Sequence, residues 1–143
     1  MIGTSGVAKT SLVAKFVHSI FSDKYLTTVR VKTDKKTVAV DGNEVMLMIW
    51  DLAGFDDYQR LQTSYLREIS GYLLVADGTR LITLGQAIEI QGRVTEATGP
   101  VPFLVTLNKA DFSSQWEISD ARIADLVGRQ RKHFKTSAKD AAF

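Results

Sequence analysis

At 143 residues the chain has the length of one domain, and 45% apolar with 24% charged residues is the balance of a globular protein with a core to bury. Its 18 Lys and Arg against 16 Asp and Glu leave a formal charge of +2, too small to imply a nucleic-acid groove, so no nucleic-acid partner is expected. The lack of cysteine excludes disulfides, thiolate metal sites and a prenylated cysteine in these residues, and no run approaches the roughly 18 apolar residues of a membrane span. A cytoplasmic protein without a membrane anchor of its own is the expectation, peripheral to a membrane only if a lipidated tail follows elsewhere.

Apolar runs alternate with longer segments of helical period, which predicts an α/β domain over 1–143 with a mostly parallel sheet. The chain opens on Met1-Ile2 and then Gly3-Thr-Ser-Gly-Val-Ala-Lys-Thr10, a near match to G-x-x-x-x-G-K-S/T at the start of a helix predicted over 9–20. Such a loop wraps a diphosphate with its backbone amides. Gly3 and Gly6 permit close approach, Ser5, Val7 and Ser11 contribute loop and first-turn positions, Lys9 supplies a charge, and the Thr10 hydroxyl suits Mg²⁺. Ala8 stands where the pattern has glycine and is expected to weaken binding without removing the cradle. In isolation the loop also reads as a plain glycine-containing turn from strand to helix.

The strand feeding such a loop is usually several residues long and central, so the first strand looks cut short, as does the C-terminal end at Asp140-Ala-Ala-Phe143, where sheet face would stay uncovered. Next comes the polar connection Phe21-Ser-Asp-Lys-Tyr-Leu-Thr-Thr28, in which Thr28 offers a second hydroxyl to Mg²⁺ or is simply a surface threonine. Arg30, Lys32, Lys35 and Lys36 are expected to make a basic solvent face on the strand that follows, protecting an edge. Thr37–Val40 and Glu44–Trp50 flank Asp41-Gly42-Asn43, a hairpin signal that adds one antiparallel pair.

Trp50-Asp-Leu-Ala-Gly54 closes that hairpin with D-x-x-G, placing Asp51 as a metal-side carboxylate and the Gly54 amide toward a terminal phosphate. Further strands are predicted at 71–76, 101–107 and 133–136, with helices near 83–98 and 119–130. Leu107-Asn-Lys-Ala-Asp111 presents N-K-x-D, in which Asp111 can accept hydrogen bonds from N1–H and the exocyclic amine of guanine, a pair adenine cannot donate. Asn108 would tether neighbouring loops and the Lys109 stem would cover the base. Thr136-Ser-Ala-Lys139, a weak signal taken alone, would offer the Ala138 amide to the guanine oxygen, with Ser137 supporting the loop and Lys139 covering the sugar side. His18 and His133 have no metal spacing and are expected to serve packing or surface roles, as is Trp116, while Trp50 is open to partner contact.

In this order the phosphate loop, switch threonine, D-x-x-G, N-K-x-D and S-A-K resemble the Ras superfamily of small GTPases over nearly the whole chain. Trp50–Gly54, Ser64-Tyr-Leu-Arg67, Gly71–Asp77 and Thr136–Lys139 look most like its Rab branch. The resemblance implies a P-loop NTPase fold with a six-stranded sheet flanked by helices, Mg²⁺, and a GTP/GDP switch. Phe21 would lie against the guanine, and residues 23–31 and 51–67 would form two nucleotide-sensing segments that meet effectors, exchange factors and GTPase-activating proteins. The family commonly has glutamine after D-x-x-G to orient water. Phe55 occupies that position and can neither donate nor accept, so slow GTP hydrolysis is expected. Asp56 and Asp57 are expected to be solvated rather than to act as a general base. The competing reading is a hydrolysis-deficient or weakly binding interaction module, free-standing or within a longer protein. An ATP-using enzyme is disfavoured by N-K-x-D.

Overall fold

The computed structural model describes residues 1–19, 31–52, 66, 69–128 and 131–140. In chain order these give α1 (Lys9–His18), β1 (Val31–Val40), β2 (Asn43–Leu52), β3 (Tyr72–Asp77), α2 (Leu81–Thr98), β4 (Phe103–Asn108), a single 3₁₀ turn (Ser113–Gln115), α3 (Asp120–Val127) and β5 (His133–Lys135). β1 and β2 form the expected antiparallel hairpin, with Val40 opposite Asn43 and Val31 opposite Leu52. β3, β4 and β5 are parallel neighbours in that order.

Among the described residues there are thus five strands, not the six expected, in two separate ladders. Between the ladders lies the Met1-Ile2 pair, too short to be a strand yet bonded to both sides. Ile2 N–H donates to the Leu73 carbonyl (2.9 Å) and Val75 N–H to the Ile2 carbonyl (2.8 Å), while Leu52 N–H reaches the Met1 carbonyl (3.4 Å). Two residues supply only one bridge, between Ile2 and Leu74. They nevertheless bring the end of the hairpin beside β3, which matters for the site.

Side-chain alternation along β3 divides the core into two layers. Leu74 and Ala76 join Leu84, Ala87, Ile90 and Val94 of α2 and Ile123 and Val127 of α3. Val75 points the other way, into a smaller cluster with Val7, Leu12 and Ala138 beside α1. Helices therefore cover both faces. The α2 positions 84, 87, 90 and 94 form one stripe at helical spacing, and the full burial of Leu84 contributes about 1.5–3 kcal/mol. On the α1 face, Leu73 and Leu104 are register partners and Phe134 lies opposite Thr106, two residues further along β4. All three are more than a third exposed among the described residues.

Helix ends follow local chemistry. α1 ends at His18, two residues short of the predicted 20, where Ser19 closes it with a left-handed backbone (φ 56°). The Ser119 side chain accepts from Arg122 N–H to start α3, which Gly128 ends before the predicted 130. α2 has no local side-chain cap, and the Glu117 carboxylate instead accepts from Leu81 N–H at 2.9 Å, placing negative charge at the helix start. The basic residues of β1 do not share one face as expected. Lys32 and Lys36 alternate with Lys35, Lys32 lies 3.9 Å from Asp34, and Lys36 sits 5.6 Å from the Phe16 ring centroid. Arg30 is outside the described residues. His18 meets Asp34 at 3.3 Å. No helix of the described residues is long and apolar enough to cross a membrane.

Trp116 packs a loop, as anticipated: its indole N–H donates to the Ile118 carbonyl (2.7 Å), its ring lies directly over Gly78, and Lys135 stands 5.2 Å from the ring centroid. A Cβ at residue 78 would overlap that ring. Gly78→Ala is therefore expected to cost about 1–3 kcal/mol in urea unfolding, the usual penalty of overpacking, with a matching red shift or broadening of tryptophan fluorescence as Trp116 is displaced.

Candidate functional site

The carboxyl ends of β2, β3, β4 and β5 converge on the loop Gly3–Thr10, the crevice where parallel α/β sheets place their ligands. Gly3 is needed for close approach, since a Cβ there would lie 2.5 Å from the Val75 carbonyl oxygen. Gly6 is needed for its backbone, at φ 81°. Ala8 shares that left-handed region at φ 68°, ψ 40°, immediately before α1. An alanine held there costs on the order of 1 kcal/mol that glycine would not. Ser5 and Ser11 are half-buried, Val7 is fully buried against Val75, and Lys9 is buried with its ammonium donating to the Thr4 carbonyl at 2.8 Å.

Two N-K-x-D side chains hold the outer side of this loop. Asn108 Nδ2 donates to the Val7 carbonyl (3.0 Å), and its Oδ1 accepts from the Thr136 hydroxyl (3.3 Å). Lys109 Nζ donates to the Gly6 carbonyl (3.0 Å) and pairs with the fully buried Asp77 carboxylate (2.9 Å). Lys109 itself has a left-handed backbone (φ 67°), the turn that lets its side chain double back across the strand ends. Asp111 Oδ1 accepts from the Ser137 hydroxyl (2.8 Å), and the same Ser137 oxygen accepts from Asp140 N–H (3.0 Å). Ala110 N–H donates to the Thr136 carbonyl (2.9 Å), so the 108–111 and 136–140 turns are tied directly together. Ala138 is buried at their junction and Lys139 is exposed at its mouth.

Asp51 ends β2 next to the first turn of α1. Its Oδ2 accepts from the Thr10 hydroxyl at 2.5 Å, while Oδ1 is buried with no hydrogen-bond partner. Burial raises the Asp51 pKa above the ordinary carboxylate value, against the opposing pull of the Thr10 hydrogen bond and the nearby Lys9 charge. A hydroxyl and one under-coordinated carboxylate oxygen fit a hard divalent cation that keeps several waters. They do not form an all-protein cage, and no group of three or more His, Asp or Glu with metal-binding arrangement occurs among the described residues. Phe21, Thr28, Gly54, Phe55, Asp56, Asp57 and Ser64–Tyr65 lie outside the described residues, as does most of 23–31 and 51–67.

Asp77, Thr79 and Thr136 were not singled out from sequence as site residues. Asp77 Oδ1 accepts from both the backbone N–H (2.9 Å) and the hydroxyl (2.6 Å) of Thr79, turning the chain sharply from β3 toward α2. An aspartate at the end of a parallel strand, followed by Gly-Thr, was the available signal.

Strand ends gathered over a glycine-bearing loop, with Lys and Thr opening the next helix, define an α/β protein of the phosphate-loop type. The Ras family profile matches residues 1–142. Ras-related protein Rab-13 of Bos taurus is 30% identical over 144 residues, covering 99% of this chain and 70% of that protein, and human Ras-related protein Rab-8B shows the same identity and coverage. Ras-like protein rasS of Dictyostelium discoideum is 31% identical over 143 residues, covering 98% of this chain and 73% of its own length. The chain belongs to the Ras family of small GTPases and is Rab-like within it.

The position of Asp51 yields a sign-specific expectation. Its folded pKa is raised, so between its unfolded value of 3.8 and the folded value the native state binds more protons, and stability falls as pH rises through that window. Above it the penalty of the buried charge is fully present. In Mg²⁺-free buffer Asp51→Asn should therefore melt higher than the unsubstituted protein at pH 7, with the gap closing on acidification. An Asn variant that melts lower at pH 7 would contradict this account of the carboxylate.

Proposed function

We propose that this single domain is a guanine-nucleotide switch that binds GTP and GDP with Mg²⁺ and hydrolyses GTP slowly. The observation that carries the reading is the double attachment of Asn108 and Lys109 to the Val7 and Gly6 carbonyls, with Asp111 held by Ser137 at the same strand ends. These contacts support reading the two segments as one base-reading, phosphate-holding unit. The Gly3–Thr10 amides and Lys9 take the diphosphate. Asp111 accepts from guanine, Ala138 N–H donates to its oxygen, the Lys109 and Lys139 stems cover base and sugar, and Phe21 would lie against the guanine. Mg²⁺ held by Thr10, Asp51 and, in the GTP state, Thr28 would neutralise charge on the β- and γ-phosphates. The unpartnered Asp51 oxygen supports that assignment.

Thr28 and the Gly54 amide report the γ-phosphate, and its loss changes the surface of 23–31 and 51–67 that effectors, exchange factors and GTPase-activating proteins would meet. Phe55 in place of a water-orienting side chain makes hydrolysis slow unless a partner supplies the missing group. The relatives carrying Rab names support a role in vesicle trafficking.

Titration with fluorescent GDP and GTP in Mg²⁺, with unlabelled ATP as competitor, is expected to give guanine-selective binding that ATP does not displace. Asp111→Ala should lose at least about ten-fold in guanine affinity and most of the discrimination, since a carboxylate paired to two donors is worth roughly 1.5–3 kcal/mol per charged hydrogen bond. Phosphate release from the GTP complex should be slow. No guanine binding by a folded protein would overturn the reading.

A further inference from the structure

Residue 80 brings a charge to the phosphate loop that none of the motifs includes. A Cβ built on Gly6 would lie 3.6 Å from Arg80 Nη1, so this guanidinium stands against the loop although 74 positions separate the two residues. Its backbone is firmly placed. Arg80 N–H donates to the Asp77 carbonyl (3.0 Å), and the Arg80 carbonyl accepts from both Thr83 N–H (3.0 Å) and the Thr83 hydroxyl (2.7 Å). Asp77, which anchors that turn, is also the ion-pair partner of Lys109, and Lys109 is bonded to Gly6. One chain of contacts thus fixes the Arg80 backbone relative to the loop.

Charge gives the second half of the argument. The buried Asp77 carboxylate, three residues before Arg80, is already engaged by Lys109 and Thr79, and Glu117 is turned to the Leu81 N–H. Among the described residues no carboxylate lies within ion-pair distance of the Arg80 side chain. An arginine whose backbone is held beside a loop of phosphate-binding type, with no carboxylate partner among the described residues, is suited to a phosphate oxygen, which it can meet with two parallel N–H groups.

We propose that Arg80 is an additional phosphate-binding residue, reaching from the start of α2 over Gly6 to a phosphate of the bound guanine nucleotide. The assignment rests on the nucleotide-binding reading above and adds a cation from a segment outside its motifs. It gives the loop a second charged contact where Ala8 replaces the glycine expected beside the β-phosphate.

The test is GDP affinity in Mg²⁺ for the unsubstituted protein, Arg80→Ala and Arg80→Lys, each at low and high ionic strength, with thermal melts to confirm folding. The backbone bonds of residue 80 survive either substitution. Arg80→Ala is expected to bind GDP roughly five- to ten-fold more weakly at low salt, with the loss shrinking at high salt as the exposed charge is screened. Arg80→Lys should recover part of it. Equal affinities for the unsubstituted and Ala proteins, or a loss that is independent of salt and no smaller in Lys, would overturn the assignment while leaving guanine-nucleotide binding intact. Failure of the unsubstituted protein to bind GDP would instead overturn the nucleotide reading and the Arg80 assignment with it.

Discussion

The site depends on where the carbonyl groups of the Gly3–Thr10 loop find their donors. A loop that turns its amides inward toward an anion must turn carbonyls outward, and buried carbonyls without partners are costly. Asn108 satisfies Val7, Lys109 satisfies Gly6, and Lys9 satisfies Thr4. Two of these three donors come from the end of β4, about a hundred residues away in sequence. The loop's shape is consequently a tertiary property. Its register against β3, set by the close packing of Gly3 on the Val75 carbonyl, and the turn of residues 108–111 hold it from opposite sides.

Electrostatic strain is concentrated in the same place. Asp51 is fully buried beside Thr10 with one oxygen unpartnered, and Ala8 occupies a backbone conformation that favours glycine. Both features disfavour the protein alone, and a cation-bound anion would relieve the first. Elsewhere buried charge is compensated. Asp77 has Lys109 and Thr79, and Asn108 uses both ends of its amide. Among the described residues of the crevice, the Asp51 oxygen and the Thr4 hydroxyl of the loop are left buried without hydrogen-bond partners.

Much of this was legible in the sequence because the relevant residues sit at strand ends in short motifs with fixed internal spacing. The hairpin around Asp41-Gly42, the strands at β3 and β4, and the convergence of 3–10, 108–111 and 136–139 follow from such local signals. What escaped depends on register between distant segments. Arg80 meets Gly6 only because β3 lies beside Ile2, and no periodicity around residue 80 encodes that neighbour. Lys32, Lys35 and Lys36 read as one basic face until strand alternation divides them. Where a sixth strand was expected, the described residues show a single bridge between Ile2 and Leu74.

Backbone amide hydrogen exchange, compared between GDP and ADP at equal concentration in Mg²⁺, tests the central claim most directly, that these strand ends form one guanine-reading, phosphate-holding unit. The account predicts that GDP slows exchange together at 3–10, 108–111 and 136–139, and that ADP leaves all three segments unchanged. Equal slowing by both nucleotides, or slowing by GDP confined to other segments, would contradict it.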